Sequence, residues 1–441
     1  MTNPNIDKLS AETKRRFFMK RFLSGVHELR YSVWKRLILI CCLVVLVTPW
    51  MFLNRIIQEF CPPIIVPMMT DISHFLYPIT AILFLIILLI LFGSPYRAGA
   101  ISRDLQRAGV FNEAEEPPIL VVRKHDPKNP KLYILEFHSI GIPLSTWQEN
   151  QAKIEAALNM YIASFHEGKD RQTVILHAVP ADHAFSNVLP WSQSLLSPDN
   201  FTLILGESLI GPVSVNLAQI PHILIGGTTG SGKTVLLRNL LYQCKCKGAQ
   251  LIIADFKGGV DFSGMWETYG RICCNEDELI PVLEKVIVVM VGRKKLLRES
   301  GCSNIDEFNI QTGEHIDRIV FACDEVSELL DKTGLTKEQK EKVQQIEGML
   351  SSIARVGRAF GVHLLLATQR PDAGTINGNI RNNMGTKICG RADDNLSMVI
   401  LGNTSANDLI PKDSRGRFIL EDGTVFQGYF MDDSQLKGCG V

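Results

Sequence analysis

Two stretches near the start of the chain are apolar on all sides rather than along one stripe. Residues Leu37 to Leu53 and Phe75 to Phe92 include no charged residue, and each approaches the roughly 20 apolar residues that cross a bilayer. Soluble helices usually carry a single apolar stripe, so this pattern predicts two membrane-spanning helices. A pair of buried core helices and, for the first stretch, a cleaved signal peptide are the alternatives.

Positive charges flank the two stretches unevenly. They crowd before the first stretch, resume after the second, and between the two occur only at Arg55. The flanking charges are Lys14, Arg15, Arg16, Lys20, Arg21, Arg30, Lys35 and Arg36 on one side and Arg97, Arg103 and Arg107 on the other. Because positive charges stay on the cytoplasmic side, we expect a basic cytoplasmic segment over 1–36 and a two-helix anchor in the cell membrane over 37–93. Both termini and the rest of the chain are then cytoplasmic.

Short apolar runs and one helical pattern follow the second stretch. The runs Pro118 to Val122 and Lys131 to Phe137 are separated by a connection containing DPKNP, which predicts a hairpin. The letters STWQ from Ser145 match a capping box, and Ile154, Ala157, Leu158 and Ile162 recur at helical spacing. With a further strand at Thr173 to Val179, the pattern predicts a small α+β domain over 94–200.

Beyond residue 200, short apolar strands alternate with helical patterns. This alternation predicts a parallel sheet covered on both faces. The strands expected are His222 to Ile225, Gln250 to Ala254, Arg318 to Cys323, His363 to Thr368 and Lys387 to Cys389. An antiparallel hairpin turning at Asp422 and Gly423 closes the domain, which we expect over 201–441.

Composition narrows the range of functions. The 441 residues and 46% hydrophobic content allow two or three folded units. Lys plus Arg and Asp plus Glu are equal at 46 each, so any binding of a polyanion must be local. Cysteines and histidines show no spacing that would hold zinc.

A phosphate-binding loop is the most specific local pattern. Residues 227–234 fit GxxxxGK[ST] between an apolar strand and a helix, the context that the motif requires. The residues are Gly227, Thr228, Thr229, Gly230, Ser231, Gly232, Lys233 and Thr234. Such a loop points backbone amides at phosphates, with Lys233 reaching the β- and γ-phosphates and Thr234 binding Mg²⁺. A plain glycine-rich turn is the alternative.

Polar residues at the ends of two later strands complete a hydrolytic site. Asp324 and Glu325 follow the apolar run ending at Cys323, and we expect Asp324 to hold Mg²⁺ and Glu325 to polarise the attacking water. Gln369 ends the next strand, at the sheet edge where ligands of α/β proteins bind. The alternative for Asp324 and Glu325 is an acidic cap on the next helix, and the alternative for Gln369 is an ordinary polar residue at the end of a strand.

Several motifs together resemble the FtsK/SpoIIIE translocase family. They include HILIGGTTGSGKT, LIIADFKGGVDF, VFACDEVSELL and SSIARVGRAFGVHLLLATQRP, within roughly Phe201 to Leu420. The resemblance implies a RecA-like ATPase that uses ATP and Mg²⁺, assembles as a homo-hexamer and drives DNA through its pore. It makes Gln369 a polar sensor and Arg358 an arginine finger for the neighbouring subunit; an exposed cation at a helix end is the alternative for Arg358.

The resemblance leaves three further features less defined. Asp255, Lys257 and Gly258 match the family without a clear role, and the segments Gly259 to Gly264 and Asp372 to Asn379 are candidate pore loops. The two-span anchor with one motor, without a C-terminal winged helix, is similar to the coupling proteins of conjugative elements in Gram-positive bacteria. We therefore expect a coupling protein that receives a relaxase–DNA complex and contacts conjugation-channel proteins. Chromosome or plasmid segregation, a type VII-like secretion ATPase and a non-catalytic scaffold are the alternatives.

Overall fold

The computed structural model describes residues 15–436 except 16, 17, 20, 27, 28, 31, 61, 96, 128, 184, 370–375, 433 and 434. Among the predicted features, Lys14, Arg16 and Lys20 of the basic segment, Arg370 and Pro371 of the ATQRP motif, and part of the second pore loop lie outside the described residues. The chain divides into two compact units, 1–184 and 185–441.

Long apolar helices dominate the first part of unit 1. Helix α1 spans Val33–Met51, α2 spans Leu53–Phe60 and α3 spans Val66–Phe92. Helices α1 and α3 are both long and apolar enough to cross a membrane, and neither has a buried residue. Lys35 Nζ donates to the Phe92 carbonyl at 3.0 Å and Tyr77 Oη donates to the Leu46 carbonyl at 2.7 Å. The start of α1 therefore lies beside the end of α3, so the two helices are antiparallel.

The second part of unit 1 is a small α+β fold. Its helices are α4 (Ala98–Arg107), α5 (Leu144–Glu149) and α6 (Gln151–Leu158), and its strands are β1 (Ile119–His125), β2 (Tyr133–His138), β3 (Met160–Glu167) and β4 (Thr173–Pro180). The strands form an antiparallel sheet in the order β1-β2-β4-β3. Its core includes the fully buried Trp147, whose Nε1 donates to Ser139 Oγ at 3.0 Å.

This region confirms the predicted hairpin and differs from the predicted helix. Helix α5 begins at Leu144 after Pro143 and has no side-chain cap, so the capping box at Ser145 was wrong. Asn159 adopts a left-handed φ of 52°, which ends α6 at Leu158 because that conformation cannot continue a right-handed helix. Ile162 consequently lies on β3, where it pairs with β4.

Unit 2 is built on one mixed sheet of eleven strands. The strands are β5 (Leu189–Pro190), β6 (Thr202–Ser208), β7 (Gly211–Asn216), β8 (His222–Gly226), β9 (Gln250–Ala254), β10 (Gly270–Cys273), β11 (Ile319–Cys323), β12 (Val362–Thr368), β13 (Thr386–Cys389), β14 (Arg417–Leu420) and β15 (Val425–Phe430). The order is β10-β9-β11-β12-β8-β13-β14-β15-β6-β7, and β5 pairs with β15. Strands β8 to β13 are parallel, as predicted, and an antiparallel set extends the sheet from β14 onward.

Helices cover the parallel part of this sheet. They are α7 (Lys233–Cys246), α8 (Trp266–Tyr269), α9 (Glu276–Ser300), α10 (Ile305–Thr312), α11 (Val326–Leu330), α12 (Lys337–Val356), α13 (Gly378–Asn382), α14 (Asp394–Leu401) and α15 (Ser405–Leu409). Side chains alternate between the two faces of each strand: Leu224 and Phe321 belong to one core cluster, while Ile223 and Val320 belong to the other with the leucines of α7. Strands β8, β11 and β12 are therefore buried throughout, which explains their continuous apolar runs.

The segment that opens unit 2 is part of its sheet and core. Strand β5 pairs with β15, and the Trp191 amide donates to the Phe430 carbonyl at 2.7 Å. Residues 185–200, which we assigned to the small domain from the sequence, thus lie in the unit that contains the phosphate-binding loop.

Candidate nucleotide site

The predicted phosphate-binding loop joins β8 to α7. Gly227, Gly230 and Gly232 adopt φ values of 149°, 76° and 103°, which only glycine takes readily. A β-carbon at Gly232 would lie 3.1 Å from both the Cα and the amide nitrogen of Gly416, and the Gly416 amide donates to the Ser231 carbonyl at 2.9 Å. The loop therefore turns tightly against the backbone that precedes β14.

Lys233 lies within this loop. Lys233 is 6% exposed, and its Nζ donates to the carbonyl of Gly227 at 2.6 Å and to that of Thr228 at 3.3 Å. Burial lowers the pKa of Lys233, while Glu325 and Asp324 oppose that shift. The ammonium group is thus held by two backbone carbonyls and lies among acidic neighbours.

The two predicted metal ligands are in contact. Thr234 Oγ1 donates to Asp324 Oδ1 at 2.9 Å, and Asp324 is only 4% exposed. The other carboxylate oxygen of Asp324 accepts from Lys257 Nζ at 2.9 Å, and the same ammonium also contacts Asp261 Oδ2 at 3.1 Å. Burial disfavours the charged form of Lys257, but the hydrogen bonds and charges of Asp324 and Asp261 outweigh it and raise the pKa of Lys257.

Glu325 and Gln369 meet at the end of β12. Glu325 is 8% exposed and accepts from the Gln369 amide, at 3.0 Å to Oε2, and from Thr368 Oγ1 at 2.9 Å. The Gln369 side chain accepts from Thr229 Oγ1 at 2.6 Å. The general-base candidate is thus held by the next strand, and that strand is tied to the phosphate-binding loop.

Two cavities adjoin these residues. One of about 510 Å³ is lined by the polar side chains of Lys233, Thr234, Asp324 and Lys257, and also by Val188, Phe418, Tyr429 and Phe430. A second, of about 410 Å³, is lined by Thr228, Thr229, Glu325, Glu328 and Gln369. Thr229 and Gln369 line both cavities, so their hydrogen bond lies where the two meet. The lining of the first cavity combines charged and hydroxyl groups with apolar and aromatic side chains, a combination that suits a nucleotide.

Arg391 also contacts the loop and was not identified from the sequence. Its guanidinium donates to the Thr229 carbonyl at 2.9 Å, to Thr228 Oγ1 at 3.2 Å and to the Lys412 carbonyl at 2.6 Å. The Thr228 amide donates to the Arg391 carbonyl at 2.7 Å. The available signal was its position in the sequence. Arg391 is a cation two residues after Cys389, where β13, the neighbour of β8, ends.

The DFKGG stretch forms a compact turn at the same edge of the sheet. The buried Asp255 accepts from the Lys257 amide at 3.2 Å and from the Asp261 amide at 3.0 Å. Burial raises the pKa of Asp255, and these two backbone hydrogen bonds oppose that shift. Asp255 therefore organises the turn, and the turn directs Lys257 toward Asp324.

Arg358 is the one predicted site residue that lies apart. It is exposed in the 3₁₀ turn Gly357–Phe360, immediately before β12, and its Nε donates to the Ala218 carbonyl at 3.3 Å. Gln369 follows the opposite end of the same seven-residue strand, about 23 Å away at the usual rise per residue. Arg358 lines a separate cavity of about 580 Å³ with Lys294 and Arg355.

Fold and site together define a P-loop ATPase of the RecA-like kind, with the loop and the strand-end acids at one edge of a parallel sheet. Comparison with known proteins agrees. Residues 192–373 match the FtsK/SpoIIIE family model. A solved structure of the pCW3 conjugation coupling protein TcpA, in its monomer form with ATPγS, is 35% identical, with a TM-score of 0.58 over 77% of this chain and 97% of that one. The chain belongs to the FtsK/SpoIIIE family, as the motifs predicted.

Curated relatives match about half of the chain. The DNA translocase FtsK of Campylobacter jejuni (strain 81-176) is 29% identical over 54% of this chain and 25% of its own length. The DNA translocase FtsK of Helicobacter pylori (strain J99) is 31% identical over 48% of this chain and 26% of its own length. The chain thus spans about a quarter of the length of these relatives.

Proposed function

We propose that this chain is a membrane-anchored, ATP-driven DNA translocase that acts as a coupling protein in conjugative DNA transfer. The observation that carries the proposal is the similarity to the coupling protein TcpA over nearly all of that chain. The two long apolar helices of unit 1 supply the anchor.

Nucleotide binding is assigned to the 510 Å³ cavity. In this proposal Lys233 exchanges its carbonyl partners for phosphate oxygens, and the apolar part of the lining, which includes Val188 and Phe430, receives the base. Thr234 and Asp324 offer a hydroxyl and a carboxylate in contact, a set of hard oxygen ligands that fits Mg²⁺. The ion, when bound, neutralises charge on the phosphates.

Hydrolysis is assigned to Glu325 and Gln369. Glu325 lines the second cavity, where water has access, and its carboxylate orientation is set by the Thr368 hydroxyl and the Gln369 amide. Gln369 hydrogen-bonds Thr229 between the two cavities, so it is placed to register the terminal phosphate. Together they take the general-base and sensor roles.

Ring assembly would bring Arg358 to the site of a neighbouring subunit. Within one chain the residue is at the wrong edge of the sheet, yet it is exposed beside Lys294 and Arg355. An arginine supplied in trans makes hydrolysis depend on assembly. Loss of activity in Arg358→Ala, restored by mixing with Glu325→Gln protein, supports this role in a homo-hexamer; failure of rescue contradicts it.

We infer further that both termini lie in the cytoplasm. The antiparallel contact between the start of α1 and the end of α3 puts both flanks on one side, and Arg21, Arg36, Arg97 and Arg103 make those flanks basic. Reporter fusions after residues 30, 62 and 436 test it. If a reporter that works only in the cytoplasm is active when fused after residue 62, the two-span topology is contradicted.

DNA-stimulated ATP hydrolysis by the full chain in detergent tests the function. We expect linear DNA, single- or double-stranded, to raise the turnover. Lys233→Ala abolishes hydrolysis, because the phosphates lose their buried cation, whereas Lys245→Ala, on the same helix but outside the cavity, retains it. ATP turnover that neither DNA changes in an assembled oligomer refutes the translocase function.

Co-purification tests the coupling role. Recovery of a relaxase–DNA complex or channel proteins supports coupling, and recovery of a secreted protein substrate favours a type VII-like role.

A further inference from the structure

We propose that Lys257 is a displaceable counter-ion for Asp324: it neutralises this carboxylate when no nucleotide is bound and must release it before Mg²⁺ with nucleotide can bind. The inference rests on the proposed nucleotide and metal site and gives the DFKGG turn a role in that site.

Both oxygens of Asp324 are engaged. Thr234 occupies one and Lys257 the other, each at 2.9 Å. The Asp324 side chain is 5% exposed, and a buried carboxylate without a partner is costly. Thr234 is neutral, so Lys257 is the cation that contacts Asp324 directly, while Lys233 acts on the same carboxylate through its charge without a hydrogen bond to it.

The turn that carries Lys257 is fixed at its backbone. Asp255 accepts from the amides of Lys257 and Asp261, and Gly258 and Gly259 take the left-handed φ values, 81° and 76°, that close the turn. The Lys257 side chain is 37% exposed, so its end can move while its base stays in place.

A second acceptor makes release possible. Asp261 Oδ2 lies 3.1 Å from the same Nζ, so Lys257 stays paired when it leaves Asp324. A magnesium ion and an ammonium group on one carboxylate would repel each other. Mg²⁺ binding therefore shifts Lys257 toward Asp261, and the strength of the Lys257–Asp324 pair sets the concentration of Mg²⁺ needed.

Thermal unfolding of the full chain in detergent, in EDTA and with ADP plus MgCl₂, tests the exchange without turnover. In EDTA we expect Lys257→Met to melt a few degrees below wild type, because Asp324 loses its counter-ion. With Mg²⁺ and ADP this deficit should vanish, since the pair is then already broken. A deficit that persists or grows with Mg²⁺ and ADP overturns the proposal, because Lys257 would then be structural or a nucleotide contact.

Titration of ADP binding with Mg²⁺ gives a second readout. Lys257→Met should lower the Mg²⁺ midpoint about three- to tenfold, near the low end of coupling between contacting residues because Lys257 is partly exposed, while Lys257→Arg stays near wild type. Asp261→Asn should raise the midpoint by removing the second acceptor, but only when Lys257 is present. If Asp261→Asn changes the Mg²⁺ midpoint equally in the wild type and in Lys257→Met, the proposal is overturned, because the change would then reflect only the lost negative charge of Asp261. If ADP binding by the wild type does not depend on Mg²⁺, the metal site itself is refuted. If only the stimulation of ATP hydrolysis by DNA is absent, the translocase function alone is refuted.

Discussion

Replacing Gly232 with alanine should damage the nucleotide site more than the fold. Its φ of 103° costs a non-glycine residue about 1–3 kcal/mol. The new methyl group would also lie 3.1 Å from two backbone atoms of Gly416, which cannot rotate away as a side chain can. Either the loop or the segment before β14 must shift by a few tenths of an ångström. Because the loop amides are aligned for phosphates, we expect at least a tenfold loss of ADP affinity, about 1.4 kcal/mol.

The other end of the same helix provides the control. Gly248, two residues past Cys246, has a φ of 81°, and a methyl group added there would meet no atom within 4 Å. Gly248→Ala should therefore lose about 1 kcal/mol of stability and bind ADP normally. Fluorescent ADP titration and thermal unfolding of both variants separate the two effects. If Gly232→Ala binds ADP as tightly as Gly248→Ala does, the contact with Gly416 does not matter and the reasoning fails.

Three further outcomes are expected. Arg391→Ala should weaken ADP binding about three- to tenfold, because the phosphate-binding loop loses charged hydrogen bonds; unchanged titrations would contradict this. Trp147→Ala should cost about 3–5 kcal/mol of unfolding free energy, and Trp147→Phe should cost less, chiefly the hydrogen bond to Ser139; equal losses by denaturant unfolding would contradict the packing argument. Burial lowers the pKa of His222 to about 4 and that of His363 well below its usual value. Below pH 6.5 the unfolded chain therefore binds protons that the folded chain does not. Stability should fall as pH falls toward 4, by about 1.4 kcal/mol per pH unit for each histidine. A flat melting profile from pH 7 to 5 would contradict it.

Local sequence patterns were sufficient to predict much of unit 2. The strands at His222 and Arg318 are buried on both faces, so their apolar runs stand out in the sequence, and the motif at Gly227 includes its own turn residues. Asp324 and Glu325 could be placed because parallel strands end at a common edge. The sequence predicted Thr234 and Asp324 as ligands of one metal ion, and the structure brings their side chains into contact.

Long-range contacts were harder to predict. Arg391 contacts Thr228 and Thr229, which lie 163 and 162 residues earlier in the chain. Its position just after a strand suggests the edge of the sheet at which it lies, but not these partners. The pairing of Lys257 with Asp324 likewise depends on two strands being neighbours in the sheet. In the small fold, helical spacing at Ile162 matched by chance, and the strand pairing with β4 decided its conformation.

The position of β8 in the sheet has a consequence for how the chain folds during synthesis. This strand pairs with β12 and β13, whose residues follow it by about 140 to 160 positions. The loop after β8 thus gains its supporting strands only when the ribosome has translated most of unit 2, and contacts of such long sequence separation form slowly. A nascent chain halted before residue 362 would carry the phosphate-binding motif complete in sequence yet without the neighbours that hold it in shape. Nucleotide binding should accordingly appear late and abruptly along the growing chain.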